Sequence, residues 1–350
     1  MTNTRSALRL FLLPLAMSLS GCLEIETTTT VHTDGSIQRE VQFSGDSAEV
    51  TKGSPFFPTD STWTVIRRRS KDTAWTSVSA KVFADGAALQ QALNSKGDKG
   101  LNVRVECAKR FLWFTTEFSY RETILCYNQF QAVPISAYIS PDDLAGWVHY
   151  DLEKAPYPSV EDSLRIRKAS LRAEEWDSRN KFEAFFLIFA EGAARLNDPG
   201  LSRGILAGAK ESLYVHCAKA LTEVQLDTIP VIFQHILKTP LVQKVFDAES
   251  GKVKEFAEKI RFEMDLLGTP YKRAQVIMPG VITETNARSI QGNTLTWEEF
   301  IGASYAVDYT MWARSRVINW WAVVLTGAVV IVLAGILVIG TFRRRRVVPG

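Results

Sequence analysis

Polar and apolar positions alternate in the outer parts of this chain and recur at helical spacing in its middle. Leu23, Ile25, Thr27, Thr29 and Val31 fall on one face of an extended segment, which predicts a half-buried strand. Asp34-Gly35 is a tight-turn signal, and Ile37, Val41 and Phe43 continue the pattern beyond it, so the two runs predict a β-hairpin. Strands are predicted at Thr62–Arg67 and Ala74–Phe83, and Asp85 is placed to cap a short helix through Leu93. Leu101–Cys107 and Phe111–Ile124 read as a further strand pair. In the second of these Leu112, Phe114, Phe118 and Tyr120 share a face and Trp113 lies on the other. The aromatic set is read as core, with a lipid pocket as the alternative.

The period changes near Pro134. Within Leu164–Leu196, Phe182, Phe185, Phe186 and Phe189 fall at i, i+3, i+4 and i+7, the apolar stripe of a helix. Glu183 and Glu191 bracket that stripe about two turns apart and are read as solvated charges rather than an acid–base pair. Gly200, Gly204 and Gly208 predict a break, with helix again from Glu211 to Val224. Leu241, Val242, Val245 and Phe246, then Val253, Phe256 and Ile260, predict two more helices parted around Gly251. After Pro270 strands return at Ala274–Met278, Val281–Thr285, Thr294–Trp297 and Ser304–Arg314, with Gln291-Gly292-Asn293 as a turn. The expected class is α+β. Sheets are drawn from β-rich parts 22–133 and 270–316, and a helical insertion spans about 134–269.

Both ends of the chain carry membrane signals. Val317–Phe342 holds 26 residues without Asp, Glu, Lys or Arg, which as a helix spans about 39 Å. That exceeds the roughly 30 Å hydrocarbon core of a bilayer, so residues 317–342 are expected to cross with tilt. Trp320 and Trp321 stand where an aromatic belt belongs. Arg343, Arg344, Arg345 and Arg346 in the tail 343–350 form a topology anchor on the cytoplasmic side. At the other end Arg5 and Arg9 precede the short apolar stretch Leu10–Leu19, and Leu19-Ser20-Gly21-Cys22 resembles a bacterial lipobox. Residues 1–21 are therefore expected to be a signal peptide, and Cys22 to begin the mature chain carrying fatty acyl groups such as palmitate. The expected location is a bacterial cytoplasmic membrane. There the body, residues 22–316, faces the periplasm or exterior on a lipid anchor plus one transmembrane helix.

Charge and chemistry narrow the function further. The net charge of the 350 residues is +3, and four cations sit in the terminal cluster, so no basic surface is left for nucleic acid. Beyond Cys22, three cysteines remain, of which Cys107 and Cys126 form a candidate disulfide. His32, His149, His216 and His235 are scattered, and no metal-ligand spacing is present. His216 and Cys217, adjacent on a predicted helix, point about 100° apart and are read as structural and buried. There is no nucleophile elbow and no phosphate or dinucleotide glycine pattern, so no catalytic residue and no cofactor is assigned.

Gly21-Cys22 followed by a strand, Asp34-Gly35, Met278-Pro279-Gly280, Asn286-Ala287 and Gly292-Asn293-Thr294-Leu295-Thr296-Trp297 together resemble the LppM-like bacterial lipoproteins with a C-terminal membrane anchor. The resemblance covers the β-rich ends and not the helical middle. It implies a mixed α/β exported domain with a lipid-binding role, and it brings no catalytic residues. The function expected from the chain is that of a doubly anchored cell-envelope lipoprotein, a non-enzymatic binding or scaffold protein for lipid or an envelope protein partner. The alternative is an envelope hydrolase whose site is dispersed in sequence. An assembly subunit is a third reading, although Gly327, Gly335 and Gly340 do not make a helix-dimer motif.

Overall fold

A computed structural model describes residues 24–52, 57, 59–69, 75–95, 100–148, 159–223, 225–267, 271–298 and 300–345. The expected signal peptide, Cys22 and Arg346 lie outside the described residues. The class is mixed α+β with two sheets.

The first two strands, β1 (Glu24–Val31) and β2 (Ile37–Gly45), form the hairpin that the alternation predicts, and Gly35 takes φ +100° at its turn. Along β1 every second residue is buried: Ile25, Thr27, Thr29 and Val31. A short helix, α1 (Ser47–Lys52), leads on to β3 (Thr64–Arg69) and β4 (Trp75–Phe83), which extend the sheet from β2. Next comes α2 (Gly86–Leu93), where Asp85 accepts from the Ala88 amide at 2.8 Å. The following pair is β5 (Val103–Leu112) and β6 (Thr115–Ile124). Asn94 and Gln90 bond the outer edge of β5 through Val103 and Val105, closing an edge that would otherwise be open.

The helices run from α3 (Pro141–Val148) and the 37-residue α4 (Val160–Leu196) through α5 (Arg203–Thr222), α6 (Ile229–Leu237), α7 (Leu241–Ala248) and α8 (Ser250–Leu267). Ser159 caps the start of α4, and Asn197 ends it in a left-handed conformation. The break therefore runs from Asn197 to Ser202 and includes Gly200, but not Gly204 or Gly208. Gly204 and Gly208 lie inside α5, where buried Leu206 and Leu213 hold the helix against the glycines' intrinsic cost of about 1 kcal/mol each. Phe182, Phe185 and Phe189 are fully buried, and Phe186 is half-buried. Phe185 meets Phe233, Phe246 and Phe256 at 6.2, 5.7 and 5.2 Å between ring centres, the heart of a separate helical core.

Strands then return as β7 (Tyr271–Ile277), β8 (Val281–Thr285), β9 (Ser289–Gln291) and β10 (Thr294–Glu298). Residues from Ser304 to Ala306, expected as strand, belong to α9 (Phe300–Ala306); the strand β11 starts at Tyr309 and runs to Ile318. Strand β7 joins β1 in parallel, so the seven-stranded sheet reads β3-β4-β2-β1-β7-β10-β9. The four-stranded sheet reads β5-β6-β11-β8. Ile25, Val41, Phe43 and Trp297 of the first sheet share one core with Phe118, Tyr120 and Met311 of the second. Arg39 on β2 crosses to Glu122 on β6 inside that core, both side chains 3% exposed, with N–O contacts of 2.9 and 3.3 Å. Thr29 and Tyr120 complete the group, Tyr120 donating to Glu122. Burial holds the Tyr120 phenol well above its ordinary pKa, so it stays a donor.

Strand β11 passes through one residue, Asn319, into α10 (Trp320–Arg345). The Asn319 carbonyl accepts from Ala322 and Val323, which starts the helix. Trp320–Ile339 is long and apolar enough to cross a membrane, and only 6% of it is buried against the rest of the protein. Val317 and Ile318, counted in the apolar run, end the strand instead.

Candidate functional site

The most organised surface feature lies where the four-stranded sheet meets α10. The turn between β5 and β6 consists of Trp113 and Phe114, not of the residues 108–110 that separate the two predicted strands. Phe111, Leu112, Trp113 and Phe114 are 54, 36, 48 and 49% exposed, while Phe118 and Tyr120 further along β6 are core. The aromatic run is thus divided: its far half is core and its near half is a bare tip.

That tip clasps the first turns of α10. The Trp321 ring stacks on Phe111 at 6.1 Å and meets Trp113 edge-on at 5.5 Å. The Trp113 indole N–H donates to Thr326 Oγ1 at 2.9 Å. Asn319 holds the turn's backbone: its amide donates to the Phe114 carbonyl at 2.8 Å, and its Nδ2 donates to those of Leu112 and Trp113 at 3.0 and 3.2 Å. Its Oδ1 accepts from Thr116 Oγ1. One cross-strand row above the tip, Arg110 and Arg316 both bond Glu117. The two guanidiniums, Arg316 first, hold the Glu117 carboxyl below its ordinary pKa. Asn319 and Thr326 carry no signal in the sequence, and Trp113, expected within a strand, stands at the turn instead. The available signal was a pair of aromatics at a strand boundary, where turn residues normally stand.

A second cluster joins the helices to the sheets. Lys181 lies 2.7 Å from Asp177 and 3.8 Å from Glu263, all three shielded from solvent. Tyr305 contacts Asp177 and, at 3.3 Å, Glu263; the Gln129 amide donates to Glu263 at 2.6 Å. A phenol has one hydrogen, so it serves one carboxylate, and the second contact becomes a hydrogen bond only when Glu263 carries a proton. Burial raises the Glu263 pKa to about 7, against the opposing pull of the Gln129 bond and Lys181. With Glu263 protonated the trio of Asp177, Lys181 and Glu263 is neutral. Asn180 and Trp176 fasten the same junction, bonding the backbone of Val133. The cluster is a structural lock, with each member satisfied by the others.

The remaining candidates do not converge on these groups. Cys107 and Cys126 are free thiols. Cys107 pairs in register with Tyr120, and Cys126 lies six residues further on, about 20 Å along a strand, beyond the reach of a disulfide. Cys126 donates to the Tyr305 carbonyl at 3.1 Å. Burial raises the pKa of both thiols, and that of Cys217 to about 12, which makes them poor nucleophiles. Glu183 pairs with Arg179 and Lys210, and Glu191 with Lys252, so the two carboxylates are separately engaged. His216 is exposed and bonds back to the Ser212 carbonyl, contrary to the buried role expected, while Cys217 beside it is buried. Arg343, Arg344 and Arg345 continue the backbone of α10. Among the described residues no set of three His, Cys, Asp or Glu side chains is arranged for a metal ion.

No protein-family model matches the chain, and no curated protein matches it. Among solved structures, the NMR structure of the folded domain of LppM from Mycobacterium tuberculosis aligns with 86% of this chain and 94% of that one. The identity is 11% and the TM-score 0.29, a weak similarity of fold.

Proposed function

We propose that this chain is a doubly anchored protein of the bacterial cell envelope whose body binds lipid or a partner protein without catalysing a reaction. In this reading acyl chains on Cys22 and the helix α10 hold it in the cytoplasmic membrane. The body then stands on the outer face, and Arg343 to Arg346 lie inside. The observation that carries the reading is the mounting of the body on its helix. A single residue links β11 to α10, and Asn319, Trp113 and Trp321 fasten the joint. A body fixed in this way presents its surface at a set height and orientation, which a binding or scaffold role uses and a freely diffusing enzyme does not need. Burial raises the pKa of the Cys126 and Cys217 thiols, which makes them poor nucleophiles for a hydrolase.

The test uses the full chain in its own membranes. A photo-crosslinking residue is placed at Val215 or Val231, which are 70 and 68% exposed on the helices, and lipid is extracted from the gently purified protein. The expected result is a single defined crosslinked protein or a stoichiometric lipid. Purified protein that carries neither from several mild extractions would defeat the reading.

A further inference from the structure

The hairpin tip is built for a medium without water. An exposed turn in water leaves its carbonyls to solvent, and its residues are commonly Gly, Asn or Asp. Here the turn is Trp113-Phe114, and Asn319 takes up the carbonyls of Leu112, Trp113 and Phe114 together. The indole N–H, the polar group of the tip's side chains, is taken up by Thr326. Apolar surroundings demand such internal satisfaction, because each unpaired backbone group there costs several kcal/mol.

The position of the tip along α10 agrees. Thr326 is six residues past Trp320, so Trp113 reaches about 9 Å down the helix from its start. Measured back from Arg343, a core of about 30 Å ends near Ala322, which leaves the Trp113 indole just inside the hydrocarbon boundary. Arg110, Glu117 and Arg316 form one row across β5, β6 and β11, two residues before the last paired row of Leu112, Thr115 and Ile318. Two residues of strand are about 7 Å, which sets the three charges in the headgroup layer and stops deeper entry.

We propose that Phe111 to Phe114 enter the leaflet through which α10 passes, as a third membrane contact that fixes how the body stands on the bilayer. The proposal rests on α10 spanning a bilayer.

The test labels the full chain with fluorotryptophan and reconstitutes it in vesicles of phosphatidylethanolamine and phosphatidylglycerol. Trp113→Phe assigns one fluorine resonance, and Trp320→Phe and Trp321→Phe assign two more. Lipids carrying a nitroxide near the headgroup should abolish most of the Trp113 signal, as they should those of Trp320 and Trp321. A water-soluble paramagnetic chelate should leave Trp113 sharp. If the chelate broadens Trp113 while the lipid nitroxide broadens Trp320 and Trp321, the tip lies in water; the proposal fails and the spanning helix stands. If Trp113 is shielded from both agents, protein covers the tip, and the proposal fails again. If the lipid nitroxide leaves all three signals sharp, the spanning helix fails with it.

Discussion

Replacing Glu263 by Gln isolates the most consequential buried acid. Glu263 is fully enclosed, and its pKa rises from an ordinary 4.5 to about 7. Between those values the unfolded chain has lost the proton while the folded chain keeps it, so stability falls as pH rises through the window. The full contribution is present below pH 4.5 and is gone once the pH passes about 7. A difference of about 2.5 pH units corresponds to about 3 kcal/mol. For a body of this size that is about 6 °C in Tm. Glutamine keeps the carbonyl that accepts from Gln129 and can donate to Tyr305, but it does not ionise. Thermal unfolding of the detergent-solubilised full chain, followed by circular dichroism from pH 5 to pH 8, reads the effect. The wild type should lose several degrees relative to Glu263→Gln across that range, the two converging near pH 5. Groups common to both proteins cancel in the difference. Parallel curves, or a wild type that gains on the variant with rising pH, would refute a protonated Glu263.

Other expectations follow from the packing. Phe185→Ala removes the ring shared by three aromatic neighbours and should cost about 3 to 5 kcal/mol, measured by urea denaturation of the helical signal. Glu122→Met strands the Arg39 guanidinium between the sheets and should cost about 3 to 5 kcal/mol, while Arg39→Met combined with Glu122→Met should cost less than either of those single changes; denaturation of the wild type, the two single variants and the double closes the cycle. Gly280 has φ +78°, and a Cβ there would lie 2.3 Å from the Arg316 carbonyl oxygen, so Gly280→Ala should cost more than about 1 kcal/mol and speed amide exchange in β8 and β11. Titration of the denatured, unreduced mature protein should count Cys107, Cys126 and Cys217 as thiols, with no increase on adding reductant.

Local signals carried the elements well where one interaction dominates. Asp34-Gly35, the Asp85 cap and the phenylalanine stripe each report short-range physics, and each appears where the pattern puts it. The β5–β6 turn was missed because turn chemistry favours small polar residues, and Ala108-Lys109-Arg110 looks like a turn while Trp113-Phe114 does not. Gly204 and Gly208 were read as a break because intrinsic propensity is local, whereas the leucines that hold α5 act through tertiary contacts. The Asp177–Tyr305 contact spans 128 residues, and no periodicity reports such a distance. The joint at α10 was half legible: the helix was plain, but its clasp depends on Asn319 and Thr326, ordinary polar residues until the hairpin is folded beside them.

Strand β1 sits inside the large sheet, between β2 and β7, and its partners on β7 lie 247 residues later at the Glu26–Arg273 contact. Strand β1 therefore waits, with one edge unpaired, until β7 has been synthesised. The phenylalanine-rich helices between need no such partner and can condense earlier from nearby contacts. A nascent chain stalled before Tyr271 would therefore expose the unpaired edge of β1 to any neighbour.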